Sequence, residues 1–207
     1  GKKAIGVTYL RRGKKYHVKA ACETIISAGA VQTPQLLQLS GIGNSEDLAL
    51  NGIRCLHPLK GVGQNLQDHL DIMVQYYCKD PKLSAARYIK VSNMVRVLLQ
   101  YMLFGNGPGA ENGCVAGAFI KSRKDMEMPD LQFHFIPLIL SDHGRERFTE
   151  PGLSIHVCQL RPESRGEVKL ASKNPIDNPS IKANYLSARS DLDTLVEGVK
   201  LARKIFQ

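Results

Sequence analysis

Two places in the sequence bring together residue types that could do chemistry. The first is Ala28-Gly29-Ala30, at the head of "GAVQTPQLLQLSGIG", which runs from Gly29 to Gly43. No side chain larger than a methyl group projects there. The backbone is therefore open to close approach, either by another strand or helix or by a ligand. The second is Asp71, two positions after His69. On the residues alone it reads as an exposed carboxylate opening a strand. The other reactive side chains do not gather into a motif. Cys22, Cys55, Cys78, Cys114 and Cys158 are odd in number, scattered, and form no Cys-x-x-Cys pair. That pattern argues against a zinc module or a disulfide frame and for reduced thiols in an intracellular compartment. No metal-ligand set is expected. Alternation in "LQFHF" and "LSIHV" puts His134 and His156 on the face opposite most of their apolar neighbours. With His143, they read as ordinary surface or core histidines.

Composition bounds the partners. The chain has 207 residues, 43% of them hydrophobic, enough for one large domain or two small ones. No apolar run approaches a membrane span, and the N-terminus lacks a signal peptide's apolar core and cleavage site. The net charge of +9 would suit nucleic acid, an anionic membrane surface or a phosphate-bearing cofactor. The positives, however, are spread out. The densest groups are Lys2-Lys3 and the Arg11-Arg12 and Lys14-Lys15 pairs around Gly13, which reads as a solvated hairpin tip. There is no recognition-helix pattern and no aromatic-basic motif, so nucleic acid is not expected as a partner. The expected location is cytoplasmic or peripheral at an inner membrane, with peripheral membrane contact left open.

The elements that would position these residues follow from periodicity. Residues 4–10 and 15–20 predict a hairpin, and "ETIIS" (Glu23–Ser27) a buried strand. Thr33 and Pro34 would start a helix over 34–39, with Leu36, Leu37 and Leu39 as its apolar face and Gly41 as its stop. Ser45 with Glu46 and Asp47 predicts a further helix ending at Gly52. "IRCLHPL" and "DIMVQYYC" read as strands separated by the loop "KGVGQNLQDH". Residues 84–104 read as largely helical. "CVAGAFI", "DLQFHFI", "LSIHVCQL" and the shorter "GEVKLAS" read as strands of an antiparallel sheet. A last helix begins at Ser190, with Leu192, Leu195, Val196, Val199 and Ala202 at helical intervals. Both ends of the chain look cut.

These motifs resemble those of the glucose–methanol–choline (GMC) oxidoreductases. Gly29, Ala30, Thr33, Pro34, Leu36, Leu37, Ser40, Gly41, Ile42 and Gly43 satisfy every fixed place of the family's second signature. "GVGQNLQDHL" at 61–70 is a second landmark. "PDLQFHFIP", "DHGR" and "RPESRGEVKLASKNPIDNPSIKANYLS" resemble the C-terminal half of the substrate domain. Within the family the chain is most similar to choline dehydrogenases and the related aliphatic-alcohol dehydrogenases.

The resemblance implies an α+β chain: an α/β FAD-binding part over residues 1–68, and a substrate domain with antiparallel sheet and helices over 69–207. It would be an internal fragment of a two-domain fold. It implies that Ala28, Gly29 and Ala30 lie near FAD, and that His69 and Asp71 lie near the substrate, the carboxylate facing the cation where that substrate is choline. It implies oxidation of a primary alcohol, choline or aliphatic, to the aldehyde by hydride transfer to the flavin. Quinone or oxygen would take the electrons onward. The family's Gly-x-Gly-x-x-Gly unit and its C-terminal active-site histidine have no counterpart here. "GNGPGA" at 105–110 fits only the loose form of the glycine pattern and reads as a loop. No catalytic residue is therefore assigned, and the segment is expected to be inactive alone. The competing expectation is a non-catalytic basic binding or scaffold module that kept only the substrate domain.

Overall fold

A computed structural model describes residues 3–141, 146–148 and 150–207 of the chain. The DHGR run at 142–145, with His143, lies outside the described residues. Contacts divide the chain into two compact units. One is Gly1–Gln67 with Arg165–Tyr185, and the other is Asp68–Ser164 with Leu186–Gln207.

The first unit opens with the expected hairpin, β1 (Gly6–Arg11) and β2 (Lys14–Lys19). Arg12 and Gly13 both have positive φ, at 50° and 75°, the backbone that lets a two-residue turn follow the twist of its strands. Tyr9 and Tyr16 face each other in register and stack at 5.5 Å. Glu23–Ser27, expected as a buried strand, forms none, and Ile25 is 78% exposed. A strand needs a neighbour for its backbone groups, and no described strand pairs with this run.

The helix that follows, α1 (Gly29–Leu39), starts earlier than Pro34. Thr33 does not cap it in the expected way. Its hydroxyl accepts the Ala28 N–H at 3.1 Å, closing the entry to the helix ahead of Pro34. Gly41 ends it in the left-handed conformation, φ 82°. The buried face of α1 is also not the leucine face: Gln35 and Gln38 are buried, whereas Leu36 is exposed. Next come β3 (Ile42–Gly43), α2 (Ser45–Leu50), β4 (His57–Pro58) and β5 (Gln64–Leu66). The Asn44 side chain caps α2 by accepting the Glu46 N–H at 2.9 Å, and β3 pairs with β4 in parallel.

The second unit is built on one antiparallel sheet. Its strands are β6 (Asp71–Tyr77), β7 (Ala116–Ile120), β8 (Leu131–Ile136) and β11 (Gly152–Gln159). Between β6 and β7 lies α3 (Val91–Phe104), preceded by a 3₁₀ turn at Ala85–Tyr88. Between β8 and β11 lies a short pair, β9 (Leu140–Ser141) and β10 (Glu146–Arg147). The sheet order is β6-β11-β8-β7. One face is apolar. Val74, Leu131, Phe133, Ile155 and Val157 form a buried cluster with Leu195 and Ala202 of the last helix. Alternation puts the polar residues of these strands on the other face.

Two later strands, β12 (Gly166–Lys169) and β13 (Ser180–Lys182), return to the first unit, where they form a sheet with β5. Gln38 of α1 grips β12 twice. Its Nε2 donates to the Val168 carbonyl at 2.9 Å, and its Oε1 accepts the Leu170 N–H at 3.0 Å. Gln35 donates to the Asp177 carbonyl at 2.8 Å. Gly63 (φ 78°) lies so close to β12 that a Cβ there would stand 2.0 Å from the Val168 carbonyl oxygen. One cut was expected after residue 68. The compact units are cut after Gln67, and Arg165–Tyr185 joins the first unit because β12 pairs with β5.

The final helix, α4 (Arg189–Ile205), matches its expected period. Gly198 allows close packing, since a Cβ there would meet Val157 Cγ1 at 2.5 Å. Asp191 in the first turn is 1% exposed. It accepts from the Gln159 amide side chain, the Glu163 and Ser164 backbone N–H groups and the Ser164 hydroxyl. Burial alone would raise this carboxyl, but those donors hold it below the usual aspartate value. Among the described residues, no helix is long and apolar enough to cross a membrane.

Candidate functional site

The polar face of the four-stranded sheet brings distant residues together. Register pairs His156 on β11 with Met73 on β6 and with His134 on β8. Asp71, at the start of β6, pairs with Cys158 and so lies one diagonal step from His156. His156 Nδ1 stands 2.6 Å from Asp71 Oδ2. The His156 side chain is 18% exposed and that of Asp71 41%. His156 Nε2 is buried and has no hydrogen-bond partner among the described residues. A carboxylate on Nδ1 fixes the ring's orientation and favours the proton on that nitrogen, which leaves Nε2 as an acceptor. His134 Nδ1 lies 3.9 Å from Cys114 Sγ.

The other end of this face is closed. Gln75 Nε2 donates to Ser154 Oγ at 3.1 Å and to the Leu140 carbonyl at 2.7 Å, and Ser154 donates to the Leu138 carbonyl. Cys158 is buried, and burial, followed by Asp71 and Asp68, pushes its thiol up. That makes it a poor nucleophile. Among the described residues, no group of three or more histidine, cysteine or carboxylate side chains is placed to hold a metal ion.

His69 and Asp71, paired in the sequence reading, have different partners. His69 Nε2 lies 3.1 Å from the Leu160 carbonyl, and its backbone N–H donates to Asp68 at 2.9 Å. The imidazole is thereby tied to backbone, whereas the Asp71 carboxylate is tied to His156. The His134–His156 pairing was missed because alternation gives the face of each histidine but not the register between strands.

The small-residue turn lies in the first unit. Ala28, Gly29 and Ala30 are exposed, and Gly29 has φ 82°. A Cβ on Gly29 would meet nothing within 4 Å, so among the described residues no strand or helix approaches it closely. The first turn of α1 has neither a side-chain cap nor an acidic residue. Its amides and its dipole suit an anionic group. Ala30, Thr33, Pro34 and Leu37 line a cavity of about 330 Å³ together with residues 62–67 and Val168.

Comparisons with known proteins bear on the family of the chain. Two family models, both described as GMC oxidoreductase, match residues 1–71 and 162–207. An oxygen-dependent choline dehydrogenase of Chromohalobacter salexigens is 40% identical over 205 residues, covering 99% of this chain and 37% of the relative. An alcohol dehydrogenase [acceptor] of Pseudomonas putida is 40% identical over 207 residues, covering 99% of this chain and 38% of the relative. Among solved structures, a formate oxidase superposes with a TM-score of 0.87 at 26% identity, covering 97% of this chain and 40% of that one. The chain thus spans little more than a third of the length of the relatives it matches.

Proposed function

The chain belongs to the GMC oxidoreductases, and from that premise we propose that the longer enzyme carrying it oxidises a primary alcohol to the aldehyde with FAD. The observation that carries this reading is the small-residue turn at Ala28–Ala30, open and uncapped at the head of α1 inside the family's matched segment. It lies in a segment similar over 99% of its length to proteins named for choline and alcohol oxidation. In this reading residues 1–68 contribute to the FAD-binding domain and 69–207 to the substrate domain, with β12 and β13 returning to brace the first.

The residues at 28–30 fit a flavin nucleotide. They carry nothing larger than a methyl group, and they precede a first helical turn with no side-chain cap. Ala28, Gly29 and Ala30 would hold FAD there, and the bound flavin would supply the hydride acceptor. Asp71 holds the His156 ring with Nε2 buried, and the hydroxyl proton goes to the group the GMC resemblance gives that role, a C-terminal histidine with no counterpart here. His69 and Asp71 form the rim of the substrate face.

The test is anaerobic reduction. The longer enzyme is purified with its flavin and mixed with choline or with straight-chain primary alcohols. The expected result is bleaching of the flavin band and formation of the aldehyde. A fully loaded flavoprotein whose flavin no alcohol reduces would overturn the reading and leave a binding module.

A further inference from the structure

Asparagine is followed by glycine at three places, Asn51-Gly52, Asn106-Gly107 and Asn112-Gly113. Such a pair is chemically fragile, because glycine has no Cβ to shield its amide nitrogen from the asparagine Cγ one residue back. The fold treats the three differently. Asn51 closes α2. Its Nδ2 donates to the Asp47 carbonyl at 3.0 Å, and the Gly52 N–H donates to the Ala49 carbonyl at 2.9 Å. Both reacting groups are thus tied to helix backbone. Asn106 lies just past α3, and its Oδ1 accepts from Gln100 Nε2 at 3.1 Å. The same Gln100 amide covers Gly107, where a Cβ would stand 2.5 Å from Nε2. Asn112 and Gly113 are exposed, and Gly113 has φ 87°. A Cβ on Gly113 would meet nothing within 4 Å. Its N–H has no hydrogen-bond partner among the described residues. The Asn112 side chain folds over that nitrogen, since its Oδ1 accepts the Cys114 N–H at 3.2 Å. A donor on Oδ1 also faces the negative charge that gathers there when Cγ is attacked.

We propose that Asn112 is a site of covalent modification by deamidation, and that the fold confines the reaction to this one of its three asparagine–glycine pairs. The Gly113 nitrogen gives its proton to hydroxide and attacks Asn112 Cγ, forming a new C–N bond. The bond from Cγ to Nδ2 breaks, and Nδ2 takes a proton from water and leaves as ammonia. Water then opens the five-membered ring at either carbonyl, giving aspartate or isoaspartate. Nothing is oxidised or reduced. The new carboxylate stands beside Glu111, and Glu111 and Gly113 both line a cavity of about 600 Å³ in the second unit. The charge of that cavity's wall therefore changes with the age of the molecule. Isoaspartate also adds a carbon to the backbone just ahead of Cys114, whose Sγ lies 3.9 Å from His134 Nδ1. The proposal stands independently of the alcohol-oxidising reading.

The experiment holds the flavin-loaded, full-length enzyme in mildly alkaline buffer, with and without urea. Peptide mass spectrometry then follows amide-to-acid exchange and isoaspartate at each of the three asparagines. In the folded enzyme Asn112 should convert at least about tenfold faster than Asn51, whose hydrogen bonds must open first. Asn106 should also lag behind Asn112. In urea the three rates should converge, because the contacts that separate them are gone. Anion-exchange chromatography should resolve a more acidic form that grows at the Asn112 rate and does not appear in Asn112→Gln, whose longer side chain closes the ring poorly. An Asn112 that stays intact in the folded enzyme overturns the proposal, as does one that Asn51 or Asn106 matches or outpaces. A rate difference that persists unchanged in urea also overturns it, since the neighbouring sequence rather than the fold would then be its cause. Because the wild-type rates alone decide, the outcome does not depend on a variant folding.

Discussion

His156 Nδ1 lies 2.6 Å from Asp71 Oδ2, across neighbouring strands and one diagonal step apart in register. Resemblance to the choline-oxidising enzymes would aim this carboxylate at a substrate cation. In this structure the carboxylate also orients the His156 ring, which supports a second reading of its task. Asn at position 71 can still accept from Nδ1, but the hydrogen bond is no longer charge-assisted and holds the ring less firmly. Asp71→Asn should therefore lower kcat/KM for a neutral alcohol about tenfold, with most of the loss in kcat. Choline should lose by the same factor. Measured on both substrates, a loss confined to choline would show the carboxylate facing the cation instead.

Gly29 separates conformation from space. Its φ of 82° strains any residue with a Cβ, yet such a Cβ would touch nothing among the described residues. Gly29→Ala should cost about 1–2 kcal/mol of stability, and Gly29→Asn less, because Asn tolerates the left-handed region. If the flavin nucleotide passes here, Gly29→Asn should lose flavin while keeping its fold. The ratio of flavin to protein absorbance, set against the thermal midpoint, reads the two effects separately. Full flavin occupancy in Gly29→Asn would move the nucleotide away from this turn.

Asp191 gives the second unit an acid-sensitive tie. Its folded carboxyl titrates below the ordinary aspartate value of 3.8. The stabilisation is therefore fully present above that value and is lost as pH falls through the lower, folded one. Asp191→Asn should cost about 2–3 kcal/mol at pH 7, because buried donors of Ser164, Glu163 and Gln159 lose a charged acceptor. The difference from wild type should shrink toward pH 3. Urea midpoints at the two pH values check this, and an equal difference at both would assign Asp191 a packing role.

Gln38 reverses the usual rule for a helix face. Gln38→Leu makes α1 more apolar, yet it should destabilise by about 2–4 kcal/mol. The Val168 carbonyl and the Leu170 N–H would be left buried and unpaired. Leu36→Gln on the exposed side should change stability by no more than about 0.5 kcal/mol. Denaturant unfolding of the two variants decides which face holds the unit together.

Periodic elements were legible from the sequence alone. α4 announces itself by apolar residues three and four apart, and β8 and β11 by alternation, because in each case one face packs on the other within this chain. The GMC signature likewise located the turn at Ala28–Ala30. What failed had a partner that sequence does not name. "ETIIS" has a strand's composition but no described strand to pair with. The face of α1 went to glutamines because side-chain amides can complete a strand's backbone bonding, a role no hydropathy pattern encodes. The Asp71–His156 pair depends on register, and register is a property of two strands at once.

The return of β12 to the first unit has a consequence for how the protein is made. Gln38 and its acceptor on Val168 are 130 positions apart. At about 5–20 residues per second, α1 leaves the ribosome on the order of ten seconds before the strand it grips. Throughout that interval the second unit's strands are being synthesised, while the glutamines of α1 have only water to bond. The first unit is thus completed only after the strands of the second unit's sheet have been made, and a nascent chain stalled anywhere between β6 and β11 exposes an open edge at β5. Ribosome-bound intermediates of this chain would be natural clients for chaperones that shield unpaired strands.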